Sequence, residues 1–149
     1  MGAYIFYTHN TFTNYHVSMA IESIAKQNQD FLFEEFIVYN NSTDIETSFI
    51  TEQFDKFNLQ KNFKKLSIIK SYPKTNSVPA DLKYQKEHII GHQWYFLHKA
   101  DFYLPEHFLG DLCKSPPSQK NSAYYLNFCK FDLRETVGPE LIREMSKFN

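Results

Sequence analysis

The chain has 149 residues, a formal net charge of −1, 42% hydrophobic residues and 22% charged ones. That length suits one domain spanning residues 1–149, with a real core, better than it suits two. The balanced charge gives no overall basic field to attract nucleic acid or an anionic membrane, and the four glycines, Gly2, Gly91, Gly110 and Gly138, are too dispersed for a phosphate loop or a dinucleotide fingerprint.

Taken in chain order, "AYIFYTH" (3–9) has the aromatic, breaker-free character of a buried strand. Val17, Ala20, Ile21 and Ile24 then recur at helical spacing, which predicts a helix over about 14–28 with Thr13 or Asn14 as cap. "FEEFIVYNN" (33–41) is a second strand. Thr43-Asp44-Ile45-Glu46 has the form of a capping box and predicts a helix over about 44–57. "KLSIIKSY" (65–72) is a third strand, and Pro79 opens a helix that ends near Gly91. "QWYFLHK" (93–99) is a fourth strand, followed by a short helix from Pro105 to about Leu112. "AYYLNFCKF" (123–131) is a fifth strand, and 132–147 reads as helical around a break at Gly138-Pro139.

Strands alternating with helices predict an α/β fold, a mostly parallel sheet with helices on both faces. Ligands of such sheets lie beyond the carboxyl ends of the strands. The residues to weigh are therefore Thr8-His9-Asn10, Asn40-Asn41, Ser71 to Lys74, and His98-Lys99-Ala100-Asp101. Cys113 and Cys129 are too far apart for a CxxC motif and read as free thiols of a cytoplasmic protein. The N-terminus lacks the pattern of a signal peptide, and no window is apolar enough to span a bilayer. Fifteen Phe and ten Tyr fit either an aromatic core or a sugar-stacking surface.

Three tracts carry a resemblance. "YTHNTFTNYHVSMAIESIAKQN" is similar to the opening of family 2-like glycosyltransferases of the GT-A fold, where a Thr-x-Asn-like turn leads into a helix. "FEEFIVYNNSTD" resembles their second strand, and "GHQWYFLHKADFYLPEHFLGDL" their tract "GEYIVFLDADDxxxPxxLxxL", in register from Gly91 to Pro105. The resemblance implies a Rossmann-like three-layer αβα sandwich. It also implies transfer of a sugar from a nucleoside-diphosphate donor, most often UDP-linked, to a hydroxyl acceptor, with Mn²⁺ or Mg²⁺ on an Asp-x-Asp motif. A divalent cation suits that chemistry because the leaving diphosphate concentrates negative charge, and carboxylates suit hard cations.

Departures from the pattern narrow the site. In the gapless register His98 stands for the first Asp of the motif and Ala100 for the second, leaving Asp101; sliding the register so that "KAD" (99–101) stands for the motif makes Asp101 its last ligand. Either His98 and Asp101 form a reduced metal site, or Lys99 or Lys83 meets the diphosphate without metal. Thr8, Asn10, Asn40, Asp81 and Lys83 are implied to line the nucleotide. Each has a plainer role available: Asn10 in a helix-opening turn, Asn40 and Asn41 as turn formers, Asp81 as a first-turn acid. Tyr39 occupies a position where the family often has a base-contacting Asp. His88 and His92 have the i, i+4 spacing of a helical metal pair, with no third ligand in view. An inverting enzyme needs a carboxylate base; Glu135, Glu140, Glu144 and Asp132 are available, and scattered acids on a helix are ordinarily a solvated face. Only 11 residues follow Gly138, so the donor-binding half is expected to predominate, with a homodimer or a partner chain completing the acceptor side. The alternative is a non-catalytic domain of the same fold that binds a nucleotide, a glycan or a protein.

Overall fold

A computed structural model describes residues 2–10, 12–70, 91–116 and 118. Among them four strands, β1 (Ala3–His9), β2 (Glu35–Asn41), β3 (Leu66–Lys70) and β4 (Tyr95–Lys99), form one sheet in the order β3-β2-β1-β4. Every pairing is parallel. The helices are α1 (Asn14–Ala25), α2 (Thr47–Lys56) and α3 (Phe108–Lys114), with a 3-10 turn at Leu59–Lys61. The expected α/β, Rossmann-like arrangement is thus present. The helix expected over 79–91, the strand over 123–131 and the helical segment over 132–147 lie outside the described residues.

β1 and β2 are central, and all fourteen of their residues are buried, as their unbroken apolar runs require. Alternation sends Tyr4, Phe6 and Thr8 to one face of the sheet and Ile5, Tyr7 and His9 to the other. The Tyr4 face is packed with aromatics. Tyr4 lies 5.2–5.5 Å, centroid to centroid, from Phe33, Phe36, Phe63 and Phe96. Phe36 reaches Phe54 of α2, and Phe96 reaches Phe108 of α3, so both helices cover this face. α1 lies beside α2, where Ser18 Oγ donates to Gln53 Oε1 at 3.2 Å. The aromatic surplus is core among these residues.

The helix boundaries differ from expectation for identifiable reasons. Thr13 caps α1, and His16 takes the reciprocal role: the Thr13 N–H donates to His16 Nδ1 at 3.0 Å. α1 ends at Ala25 rather than near 28 because the next residues bind elsewhere. The Asn28 N–H donates to the Glu106 carbonyl, while Gln27 Nε2 donates to the Pro105 carbonyl and its Oε1 accepts from the Leu109 N–H. Gln27 thereby serves an orphan donor at the start of α3, which begins at Phe108 rather than Pro105. The capping box at Thr43 does not form. Thr43 turns to Asn10, and α2 starts at Thr47 with Glu46 as an N-cap that makes no side-chain hydrogen bond.

At the amino ends of the strands, Glu35 binds across the sheet. Ser67 Oγ donates to its Oε1, Lys65 Nζ lies 3.0 Å from the same oxygen, and His92 Nε2 lies 2.7 Å from Oε2. In the sheet register Ala3 stands between Glu35 of β2 and Tyr95 of β4. His92 is thus engaged with Glu35, and its expected partner His88 lies outside the described residues. Burial alone would raise the Glu35 pKa; the hydrogen bonds from Ser67, His92 and Lys65, with the Lys65 charge, reverse that and lower it.

A carboxyl lowered in the fold contributes stability above its unfolded pKa, and loses it as pH falls through the folded one. Glu35→Ala is therefore expected to cost about 1–3 kcal/mol near neutral pH. In urea melts the gap to the unsubstituted chain should narrow as the pH falls below the ordinary carboxylate value of 4.5. A gap that stays constant with pH would show that the carboxylate charge is not what joins β3, β2 and the residues before β4 here.

Candidate functional site

The order β3-β2-β1-β4 reverses direction between β1 and β4, and the crevice of such a sheet opens beyond the strand ends at that reversal. Two tight turns flank it. After β1, the Phe12 N–H donates to the His9 carbonyl at 2.9 Å; after β4, the Phe102 N–H donates to the Lys99 carbonyl at 3.1 Å. The Ala100 N–H continues the ladder to the Tyr7 carbonyl at 2.9 Å.

Lys99 bridges the two turns. Its Nζ lies 5.8 Å from the Phe12 ring centroid, 5.5 Å from that of Phe102, and 3.8 Å from Asp101 Oδ1. An ammonium over aromatic faces is attracted by their quadrupoles, and the four-carbon stem packs well on apolar surface. The Lys99 side chain is 31% exposed and that of Asp101 only 4%, so the cation is the solvent-facing member of the pair. The Phe12 ring also touches those of His9 and His16, which braces the turn after β1.

His98 points the other way, as alternation along β4 demands. Its ring lies among Tyr4, Phe6 and Phe96 and is almost fully buried. Nε2 is 2.8 Å from the Phe102 carbonyl and Nδ1 is 2.5 Å from the Tyr4 hydroxyl. A carbonyl only accepts, so Nε2 carries the proton and Nδ1 accepts from Tyr4. Burial pushes the imidazole pKa down to about 4, outweighing the Phe102 carbonyl and the Asp101 charge, which pull it up. The ring is neutral, and as placed neither nitrogen has a lone pair to offer a cation. Ala100, at the motif's other altered position, is buried too.

Thr8 and Asn40 come together, on each other. Thr8 Oγ1 donates to Asn40 Oδ1 at 2.8 Å, and that oxygen also accepts from the Ser42 N–H. Asn40 Nδ2 donates to the Ile45 carbonyl at 2.9 Å and to Thr47 Oγ1 at 3.1 Å. The amide thus shapes the loop into α2. Asn10 is exposed on the rim, where its Oδ1 accepts from the Thr43 N–H at 2.9 Å and joins the loops after β1 and β2. Tyr39 is buried, and burial, with Tyr95 and Glu35 adding to it, raises its pKa well above the ordinary value.

Asp81, Lys83, Asp132, Glu135, Glu140 and Glu144 lie outside the described residues. Among the described residues no three His, Cys, Asp or Glu side chains are grouped as a metal site would need. Cys113 is a free thiol whose pKa is raised by burial. No described helix is long and apolar enough to cross a membrane. The sequence reading missed Phe12 and Phe102 as supports of Lys99. The available signal was an aromatic a few residues beyond each of two neighbouring strand ends.

No family model matches the chain, and no curated protein matches it in sequence. Its fold is similar to that of S. aureus TarS, with a TM-score of 0.50 and 18% identity over 76% of this chain and 19% of that one. A structure of S. aureus TarS 1-349 in complex with UDP gives a TM-score of 0.47 and 21% identity over 76% of this chain and 31% of that one. The chain spans about a fifth of the first of these by length. The likeness is one of fold: a parallel α/β arrangement.

Two outcomes follow from this geometry. Asn40→Ala removes the amide that the Ser42 N–H and the Ile45 carbonyl bind, and leaves Thr8 Oγ1 only the Tyr39 carbonyl at 3.4 Å; it should lower stability by about 1–3 kcal/mol in denaturant melts, and an unchanged midpoint would overturn its loop-shaping role. A buried histidine with a depressed pKa favours the fold above the unfolded value of 6.5. That contribution is lost as pH falls toward about 4. The loss approaches about 3 kcal/mol, and His98→Gln should flatten the pH dependence of the midpoint across that window.

Proposed function

We propose that this chain is the donor-binding domain of a glycosyltransferase, which takes a sugar from a nucleoside-diphosphate donor and passes it to a hydroxyl acceptor. UDP-linked donors are the first choice because the resembled family most often uses them. The observation that carries the reading is the place of Lys99 and Asp101. They sit at the reversal between β1 and β4, in the register where the resembled family has its diphosphate motif. The fold likeness to TarS supports it.

In this reading the nucleotide lies across the carboxyl ends of β1 and β2. Asn10 and the Thr43 turn face it, Thr8 and Asn40 hold that turn in shape, and Asp81 and Lys83 complete the nucleotide side. The diphosphate lies toward Lys99 and Asp101. The acceptor hydroxyl loses its proton to a carboxylate, sought among Glu135, Glu140 and Glu144, and a second copy or a partner chain contributes to the acceptor side. The work is placed in the cytoplasm.

A second reading, a non-catalytic binding domain, is favoured by one observation. Two of the altered motif positions, His98 and Ala100, are built into the core. Thermal shift and nucleotide release separate the two. With a panel of nucleoside diphosphates at millimolar concentration, one class should raise the melting temperature, since ligand at 100 times its Kd adds about 2.7 kcal/mol. Release of free nucleotide from the matching donor sugar marks an enzyme, and binding without release marks the second reading. No shift with any nucleotide, with or without Mn²⁺, removes both nucleotide readings.

A further inference from the structure

We infer that the diphosphate is met by the Lys99 ammonium in place of a divalent cation; the inference rests on the donor-binding reading above. The residues at the motif do not fit a metal. His98 uses both ring nitrogens inside the chain, on Tyr4 and on the Phe102 carbonyl. Ala100 has no side-chain ligand to give. That leaves the Asp101 carboxylate, with an ammonium 3.8 Å from its Oδ1. A divalent cation bound to Asp101 would have Lys99 as a like-charged neighbour at close range, which costs energy wherever water is thin.

The same geometry suits an anion. Lys99 is the last residue of β4, paired with Tyr7 of β1, so its backbone is fixed by the neighbouring strand. Its head is held over Phe12 and Phe102, one ring from each flanking turn. The separation from Asp101 exceeds hydrogen-bond length, so the pair attracts without consuming a donor, and an ammonium has three N–H donors. Asp101 faces it from the buried side and steadies it, while the exposed side is open to an incoming oxyanion. A lysine acts on phosphate as a point charge and needs no fixed fork. Lys99 would neutralise the diphosphate both when bound and as it leaves, the task that a metal performs elsewhere.

The test is calorimetric titration of the full chain with UDP, and with inorganic pyrophosphate, in EDTA and in MnCl₂. UDP should bind in EDTA within about threefold of its affinity in Mn²⁺, with pyrophosphate competing. Lys99→Met keeps the stem over the rings and should weaken binding roughly 10- to 100-fold, whereas Lys99→Arg should hold it within a few-fold. Thermal melts check the fold, and Lys99→Gln serves if the methionine variant melts early. Binding that requires Mn²⁺ would overturn the inference and leave the donor-binding reading standing. EDTA-resistant binding that survives both neutral substitutions would overturn the role of Lys99. No binding of UDP or pyrophosphate in either buffer would overturn the reading and the inference together.

Discussion

A neutral imidazole inside the sheet sets much of what happens at its rim. Tyr4 donates to His98 Nδ1, and His98 donates onward to the Phe102 carbonyl. The first bond ties β1 to β4, and the second ties β4 to the turn that follows it. Slipping β4 by one residue would bring every side chain to the opposite face, placing an ammonium among phenylalanines and the imidazole at the crevice. The Tyr4–His98 bond opposes that slip with a specific partner, in addition to the burial pattern that already sets the register. The register Phe6 to His98 and Tyr7 to Lys99 is what delivers the lysine to the crevice.

The rim then divides into groups that shape it and groups that face outward. Thr8 and Asn40 belong to the first kind, since their polar atoms are paired within the chain. Such pairing is expected at 0–1% exposure, where an unpartnered polar group is costly. Lys99 belongs to the second, and the exposed Asn10 has a part in both, since its Oδ1 is paired with Thr43. The division matters for chemistry because preorganisation needs both: a fixed frame, and a small number of charges or dipoles left to meet a ligand. At the opposite end of the sheet, Glu35 provides a second fixed point by joining β3, β2 and the residues before β4.

Much of the framework is readable along the chain. β1, α1, β2 and β4 lie within two or three residues of their expected bounds, because unbroken apolar runs and the Thr13 cap are local signals. The rim positions were readable too, since polar residues at the ends of apolar strands can only lie there. What lies beyond local pattern is pairing across space. The Thr8–Asn40 bond spans 32 positions and the Tyr4–His98 bond 94. Local patterning also misassigned Thr43, whose spacing to Glu46 imitates a capping box while its hydroxyl is drawn to Asn10. His98 read as a metal ligand from its place in a motif; its facing direction, fixed by strand parity and by Tyr4, argues for a structural imidazole.

Gln27 has a mechanical consequence for the crevice. Its amide grips the Pro105 carbonyl and the Leu109 N–H, while the ladder bond at Ala100 holds the other end of the intervening segment. The segment between these anchors is only four residues, Asp101 to Leu104, and Leu104 is itself fully buried. A hinged flap cannot be made from so short and so doubly fastened an arc. Adjustment to an incoming ligand on this side therefore falls to side-chain torsions. The longest lever available there is the four-carbon stem of Lys99, sliding over two aromatic rings that offer a smooth surface and no fixed stop.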